Sequence, residues 1–99
     1  MIIYGIKNCD KVRAAMKEAQ AAGQEPKLHD FRVEGISLDL VEQILNDIEF
    51  NQLLNKRSTT WKQLDEASKA QPNAALLVAN PTLIKRPVVF QQGQYTIGL

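Results

Sequence analysis

The residue best suited to chemistry is Cys9, the chain's one cysteine, in the segment Ile6-Lys7-Asn8-Cys9-Asp10-Lys11. It lies between an apolar run and an amphipathic stretch, so a strand-to-helix junction is expected there. A sulfur at such a junction faces the free N–H groups and the positive end of the helix dipole, surroundings that favour a thiolate. Lys7, Lys11 and Arg13 add positive charge nearby in sequence. Asn8 and Asp10 are polar neighbours that speak against burial, and the competing reading is a cysteine acting as a small core hydrophobe. A dithiol centre needs a second sulfur three positions on, and Val12 stands there. Any redox cycle must therefore borrow a thiol. In a reducing cell the natural lender is glutathione, forming a mixed disulfide with Cys9 that a second glutathione releases.

Two basic segments could serve such a thiol. Lys85-Arg86-Pro87 precedes the apolar run Val88-Val89-Phe90, so Pro87 is expected at a strand entrance, with a cis peptide bond that fixes Arg86 before it. Arg57, in Leu54-Asn55-Lys56-Arg57-Ser58, falls in a loop between helical pieces. On local sequence each arginine reads equally as an anion-binding group or as a solvated charge. His29 is the sole histidine, and nothing at ligand spacing joins it or Cys9, so no metal is expected and His29 reads as structural. Trp61, on a helical stripe, is expected in the core. Asp30, Glu34, Asp39 and Glu42 read as solvation.

The elements that must position these residues follow from periodicity. Met1-Ile2-Ile3-Tyr4, closed by Gly5, predicts a central strand. Val12, Ala15, Met16, Ala19 and Ala22 form the stripe of a helix from Asp10 that stops at Gly23. Lys27 to Phe31 is expected as a second strand completing a β-α-β unit. Ser37 caps a helix whose face is Val41, Ile44, Leu45 and Ile48. Thr60-Trp61-Lys62-Gln63 has capping-box spacing, opening a helix that runs on to Pro72. Asn73 caps Ala74 to Ala79. The tail changes period: Val88-Val89-Phe90 and Tyr95-Thr96-Ile97 flank Gln91-Gln92-Gly93-Gln94, a hairpin with Gly93 at the strained position.

Ninety-nine residues with 44% hydrophobic content support one core, so a single domain over residues 1–99 is expected, with a helical insertion about 37–79. A net charge of +1, from 12 basic and 11 acidic residues, offers no polyanion-binding stripe, and no apolar stretch reaches membrane-spanning length. Nucleic acid and membrane are therefore not expected partners. One cysteine and no signal-peptide pattern at the start point to a cytoplasmic setting.

Four segments together resemble the YffB-type branch of the ArsC/Spx family. They are Tyr4-Gly5-Ile6-Lys7-Asn8-Cys9-Asp10, His29-Asp30-Phe31-Arg32-Val33, Leu53 to Trp61, and Ile84-Lys85-Arg86-Pro87-Val88. The resemblance covers essentially the whole chain. It implies an α/β thioredoxin-like (glutaredoxin-like) domain, a mixed four-stranded sheet with a helical insertion, with Cys9 as nucleophile and Arg86 beside it, next to a cis Pro87. Arg13 matches the arginine four residues after the cysteine in the active-site loop of arsenate reductases. Asn8, Lys11, Arg13, Arg57 and Pro87 are the candidate substrate-binding residues. Asn55 stands where those enzymes have an arginine after a Leu-Leu pair, with Arg57 two residues on, which weakens arsenate as the substrate. The implied activity is that of a glutathione-dependent thiol reductase acting on a small thiol or oxyanion. The alternative is an Spx-like regulatory module that binds a protein partner such as RNA polymerase. Those relatives often carry a two-cysteine switch at the positions of Cys9 and Val12. Related chains usually continue past the Gly-Leu ending with one more helix, so a shortened form, or a partner covering one sheet face, is expected.

Overall fold

Alternation of side chains along a strand puts Ile3 and Tyr4 on opposite faces of a sheet, and both are buried. In the computed structural model, which describes residues 1–98, their strand β1 (Ile2–Gly5) lies inside a four-stranded sheet. Its companions are β2 (Lys27–Asp30), β3 (Val88–Gln91) and β4 (Gln94–Ile97), in the order β2-β1-β3-β4. β1 pairs in parallel with β2, Gly5 opposite Asp30, and antiparallel with β3, Tyr4 opposite Val88. This is the mixed α/β sheet expected from the sequence. The crossover is α1 (Asp10–Ala21), which lays Val12, Ala15 and Ala19 on Ile3 and Val89. The opposite face carries Tyr4, whose ring lies 4.9 Å from His29, 6.3 Å from Phe31 and 6.0 Å from Tyr95, centroid to centroid.

Gly5 belongs to β1 rather than closing it, since it pairs with Asp30 of β2, and α1 approaches it closely: a Cβ there would sit 2.5 Å from Cγ2 of Val12. The β3–β4 hairpin turns on Gln92 (φ 54) and Gly93 (φ 75). Both central residues take the positive φ that a type I′ turn requires, so the unusual backbone is not confined to the glycine.

Two compact units divide the chain: Met1–Gly35 with the segment from Arg86 onward, which holds the sheet and α1, and Ile36–Lys85, which is helical. The helical unit contains α2 (Leu38–Asp47), α3 (Phe50–Leu53), α4 (Thr59–Gln63), α5 (Glu66–Ala70), α6 (Ala74–Ala79) and a 3-10 turn at Pro81–Leu83. The Ser37 hydroxyl caps α2 as expected, accepting from the Leu40 N–H at 3.1 Å. α2 packs on α6, with Val41, Ile44 and Leu77 fully buried. Leu53 and Leu54 run beside Leu83 and Ile84, joined by Asn55 N–H to Leu83 O (2.6 Å) and Lys85 N–H to Leu53 O (2.8 Å).

Three expectations in this unit are corrected. The helix from Thr60 towards Pro72 is broken after Leu64, because the Asp65 carboxylate accepts from the Ser68 N–H at 2.7 Å and starts a new one. The cap of α4 is Ser58, accepting from the Trp61 N–H, while the Thr60 hydroxyl is engaged with Thr82 at 2.6 Å. Trp61 is half-buried rather than core, and Lys56 Nζ lies 5.6 Å from its ring centroid, a cation–π arrangement.

Candidate functional site

The chain leaves β1 through a turn that delivers Cys9 to the start of α1. The Cys9 N–H donates to Ile6 O at 3.0 Å, and the Arg13 N–H donates to Cys9 O at 3.0 Å as the first bond of the helix. Neither Lys7 nor Asn8 has positive φ, so Ile6 to Cys9 form a type I turn. Cys9 is the N-cap residue, extended at φ −87 and ψ 126, and its side chain makes no capping hydrogen bond. The sulfur thus stands at the end of α1 where peptide N–H groups point outward. The residue is half-buried and packs against the Ile3, Val12, Ala15, Ala19 and Val89 cluster, so one side of it is apolar. Neither of the two environments expected for it is complete: it is neither wholly exposed nor a core hydrophobe.

Around it, Lys7, Asn8, Lys11 and Arg13 are exposed. The Arg13 guanidinium is engaged with the Asp10 carboxylate one turn back, an exposed i,i+3 ion pair. Asp10 also places its negative charge in the first turn of α1. The antiparallel pairing of β1 with β3 brings the start of β3 beside the end of β1, so Pro87 and the turn before Cys9 share one end of the sheet. The Arg86–Pro87 peptide is cis, as expected. Pro87 is buried, its carbonyl accepts from the Gly98 N–H at 2.9 Å, and Arg86 is half-buried. Arg57 belongs to the helical unit, where it is exposed and its N–H donates to Asn55 Oδ1 at 3.1 Å.

Asp30 is where reading the sequence failed. Expected as a solvated charge, it is buried, with 8% of its surface exposed, at the last position of β2. Its Oδ2 accepts from the Lys7 N–H at 3.2 Å and its Oδ1 from the Arg32 N–H at 2.8 Å. The Phe31 N–H donates to Gly5 O at 2.8 Å and closes the same end of the sheet. An aspartate directly after three strand residues and before an aromatic was the available signal, since a carboxylate at a strand end can accept from nearby backbone N–H groups.

His29 has a structural setting: Nε2 lies 2.8 Å from Gly35 O, so that nitrogen carries the proton, and Nδ1 faces Glu34 Oε2 at 3.9 Å. Tyr4 ionises with difficulty. Burial, then the neighbouring Tyr95 with its hydrogen bond, then the Glu34 carboxylate push its hydroxyl up to about 12. Among the described residues no group of three or more His, Cys, Asp or Glu side chains is placed to hold a metal ion. Among the same residues no helix is long and apolar enough to cross a membrane.

The site can perform one-thiol chemistry. Val12, where a resolving cysteine would stand, is 1% exposed and part of the core, so Cys9 has no internal partner for a disulfide. The model of the ArsC family matches residues 4–99. An uncharacterized protein of Haemophilus influenzae is 45% identical over 100 residues, which span 97% of this chain and 88% of that protein. A solved YFFB protein superposes with a TM-score of 0.90 at 31% identity, over 99% of this chain and 90% of its own. An arsenate reductase (ArsC) related protein from Brucella melitensis gives 0.78 at 33% identity, over 99% and 85%.

Proposed function

The chain belongs to the ArsC family, and from that membership and the setting of Cys9 we propose that it is a glutathione-dependent, arsenate-reductase-like thiol reductase working through one cysteine. The observation that carries this reading is Cys9 at the N-cap of α1, its side chain engaged in no cap and half open to solvent. The Cys9 thiolate attacks the glutathione sulfur of a substrate–glutathione disulfide; a Cys9–glutathione disulfide forms and the substrate leaves as thiolate. A second glutathione thiolate attacks the glutathione sulfur of that adduct, giving oxidised glutathione and restoring the Cys9 thiolate. Each turn consumes one reduced glutathione: the substrate–glutathione disulfide is reduced to the substrate thiolate, and the two glutathionyl sulfurs leave joined as oxidised glutathione.

Arg86, set by the cis peptide before Pro87, holds a carboxylate of the tripeptide, and the exposed Asn8, Lys11 and Arg13 line its approach. Glutathione is the co-substrate and no metal takes part. The relative from Brucella melitensis, named as related to arsenate reductase, supports a small oxyanion as the alternative substrate class. In this reading the protein works in the cytoplasm as one thioredoxin-like domain, the helices of residues 36–85 forming an insertion.

Mass spectrometry tests it. Incubated with oxidised glutathione, the intact protein is expected to gain one adduct on Cys9 and lose it on adding reduced glutathione, while Cys9→Ser gains none. Arg86→Ala is expected to slow adduct formation more than Lys85→Ala. A native protein that takes up no adduct, while the denatured chain is readily modified, would overturn the reading and leave the protein-binding role of the Spx relatives.

A further inference from the structure

The thiol turn is held from outside by a single buried carboxylate. The turn from Ile6 to Cys9 is closed by one hydrogen bond, Cys9 N–H to Ile6 O, and its first corner is Lys7. The Lys7 N–H points away from that ring and donates to Asp30 Oδ2. Oδ1 of the same carboxylate accepts from the Arg32 N–H, in the loop leaving β2. The backbone of Asp30 is anchored in turn: its carbonyl accepts from Val33 and Glu34 N–H at 3.1 and 2.8 Å, and its N–H donates to Glu34 Oε2 at 3.1 Å. One side chain thus pins the corner of the turn, two residues before the sulfur, to a loop fixed on the neighbouring strand.

The choice of residue type is informative. Both carboxylate oxygens receive backbone N–H donors, which an ionised aspartate satisfies and an asparagine cannot, because its NH2 would face one of the two N–H groups. A structural need to fill the space alone would be met by either. We propose that Asp30 is the positioning residue of the site: it sets the turn that presents the Cys9 sulfur at the N-terminus of α1. Its removal lowers the reactivity of Cys9 without touching reagent or substrate. This rests on Cys9 being the reacting group of the preceding subsection.

The test compares second-order alkylation of Cys9 by iodoacetamide in full-length variants, with urea unfolding measured beside it. Asp30→Asn is expected to alkylate about tenfold more slowly than the wild type, the size expected when a charge-assisted hydrogen bond is lost. Ile44→Val, in the core of the helical unit, lowers stability without touching the turn and is expected to keep the wild-type rate. A second pair does not depend on Asp30 folding. Lys7→Pro deletes the donated N–H together with the side-chain charge, at a turn position where proline is favoured, and Lys7→Ala removes the same charge while keeping the N–H. Lys7→Pro is expected to react about tenfold more slowly than Lys7→Ala. With oxidised glutathione as the reagent, the maximal rate of Asp30→Asn is expected to fall while the half-saturating concentration stays put.

Wild-type alkylation rates in both Asp30→Asn and Lys7→Pro would overturn the proposal. So would an equal slowing in Ile44→Val, which would reduce the effect to global stability. Alkylation needs no glutathione, so a wild type that forms no glutathione adduct defeats the proposed function and leaves this comparison to decide on Asp30.

Discussion

Gly5→Ala tests the packing that places Cys9. The added methyl would lie 2.5 Å from Val12 Cγ2 and 3.7 Å from Val12 Cβ and Cγ1. Val12 cannot swing aside: it is β-branched, fully buried against Ile3, Ala15, Ala19 and Val89, and one helical turn from Cys9. Overpacking of this kind costs about 1–3 kcal/mol. Gly5 lies outside the positive-φ region, so an alanine there also restrains the unfolded chain and returns about 0.4–1 kcal/mol. The net expectation is a loss of about 1–2 kcal/mol, or about 4–16 °C in Tm for a domain of this size. Val12→Ala alone removes two buried methyl groups and is expected to cost about 2 kcal/mol. In the double variant the methyl added by Gly5→Ala occupies the space left by Cγ2 and meets only the residual Cβ at 3.7 Å. The double variant should therefore be no less stable than Val12→Ala, a coupling of at least about 1 kcal/mol. Urea denaturation of the four proteins measures it. Losses that add to within about 0.5 kcal/mol would refute the close approach of α1 to β1 at Gly5.

Tyr4 is expected to stay protonated in the folded protein until about pH 12, readable as delayed phenolate absorbance in alkaline titration. Its ordinary value in the unfolded chain is 10.0, so its contribution is complete below pH 10 and is lost as the pH rises towards 12. The loss is seen as a urea midpoint that falls over that window and is absent in Tyr4→Phe. Asp65, held below the usual carboxylate range by its hydrogen bonds from Ser68, contributes stability that is present above that range and fades on acidification. Asp65→Ala should therefore flatten the acid limb of the stability curve. Ser37→Ala should cost about 1 kcal/mol of thermal stability by uncapping α2, with no change in Cys9 alkylation.

Much of this arrangement was legible because local and long-range signals agreed. The apolar run at β1, the stripe of α1 and the hairpin around Gly93 each carry the period of the element they form, and the capping residues Ser37 and Asn73 stand where the helices begin. The helical unit was harder to read. Its α-helices are four to ten residues long, and Asp65 restarts a helix where the spacing of Trp61, Leu64 and Ala67/Ser68 runs on without a break. The position of Cys9 was readable as a strand-to-helix junction. Its apolar backing was not, since contact with Ile3 and Val89 depends on the sheet. Asp30 reads as solvation for a related reason: its place at a strand end is visible, but its two donors lie 23 residues before it and two after, and only the parallel pairing of β1 with β2 brings the first within reach.

The central claim is that the fold activates Cys9 instead of sheltering it. The most direct measurement is the second-order rate of Cys9 alkylation by iodoacetamide at neutral pH, in the native protein and in the same protein unfolded in urea. A thiol presented at the N-terminus of α1 beside Lys7 and Lys11 is predicted to react several-fold faster in the native protein than in the unfolded chain. A native rate below the unfolded one would show Cys9 to be a packing residue of the Ile3–Val12 cluster, and the account of its function would fall.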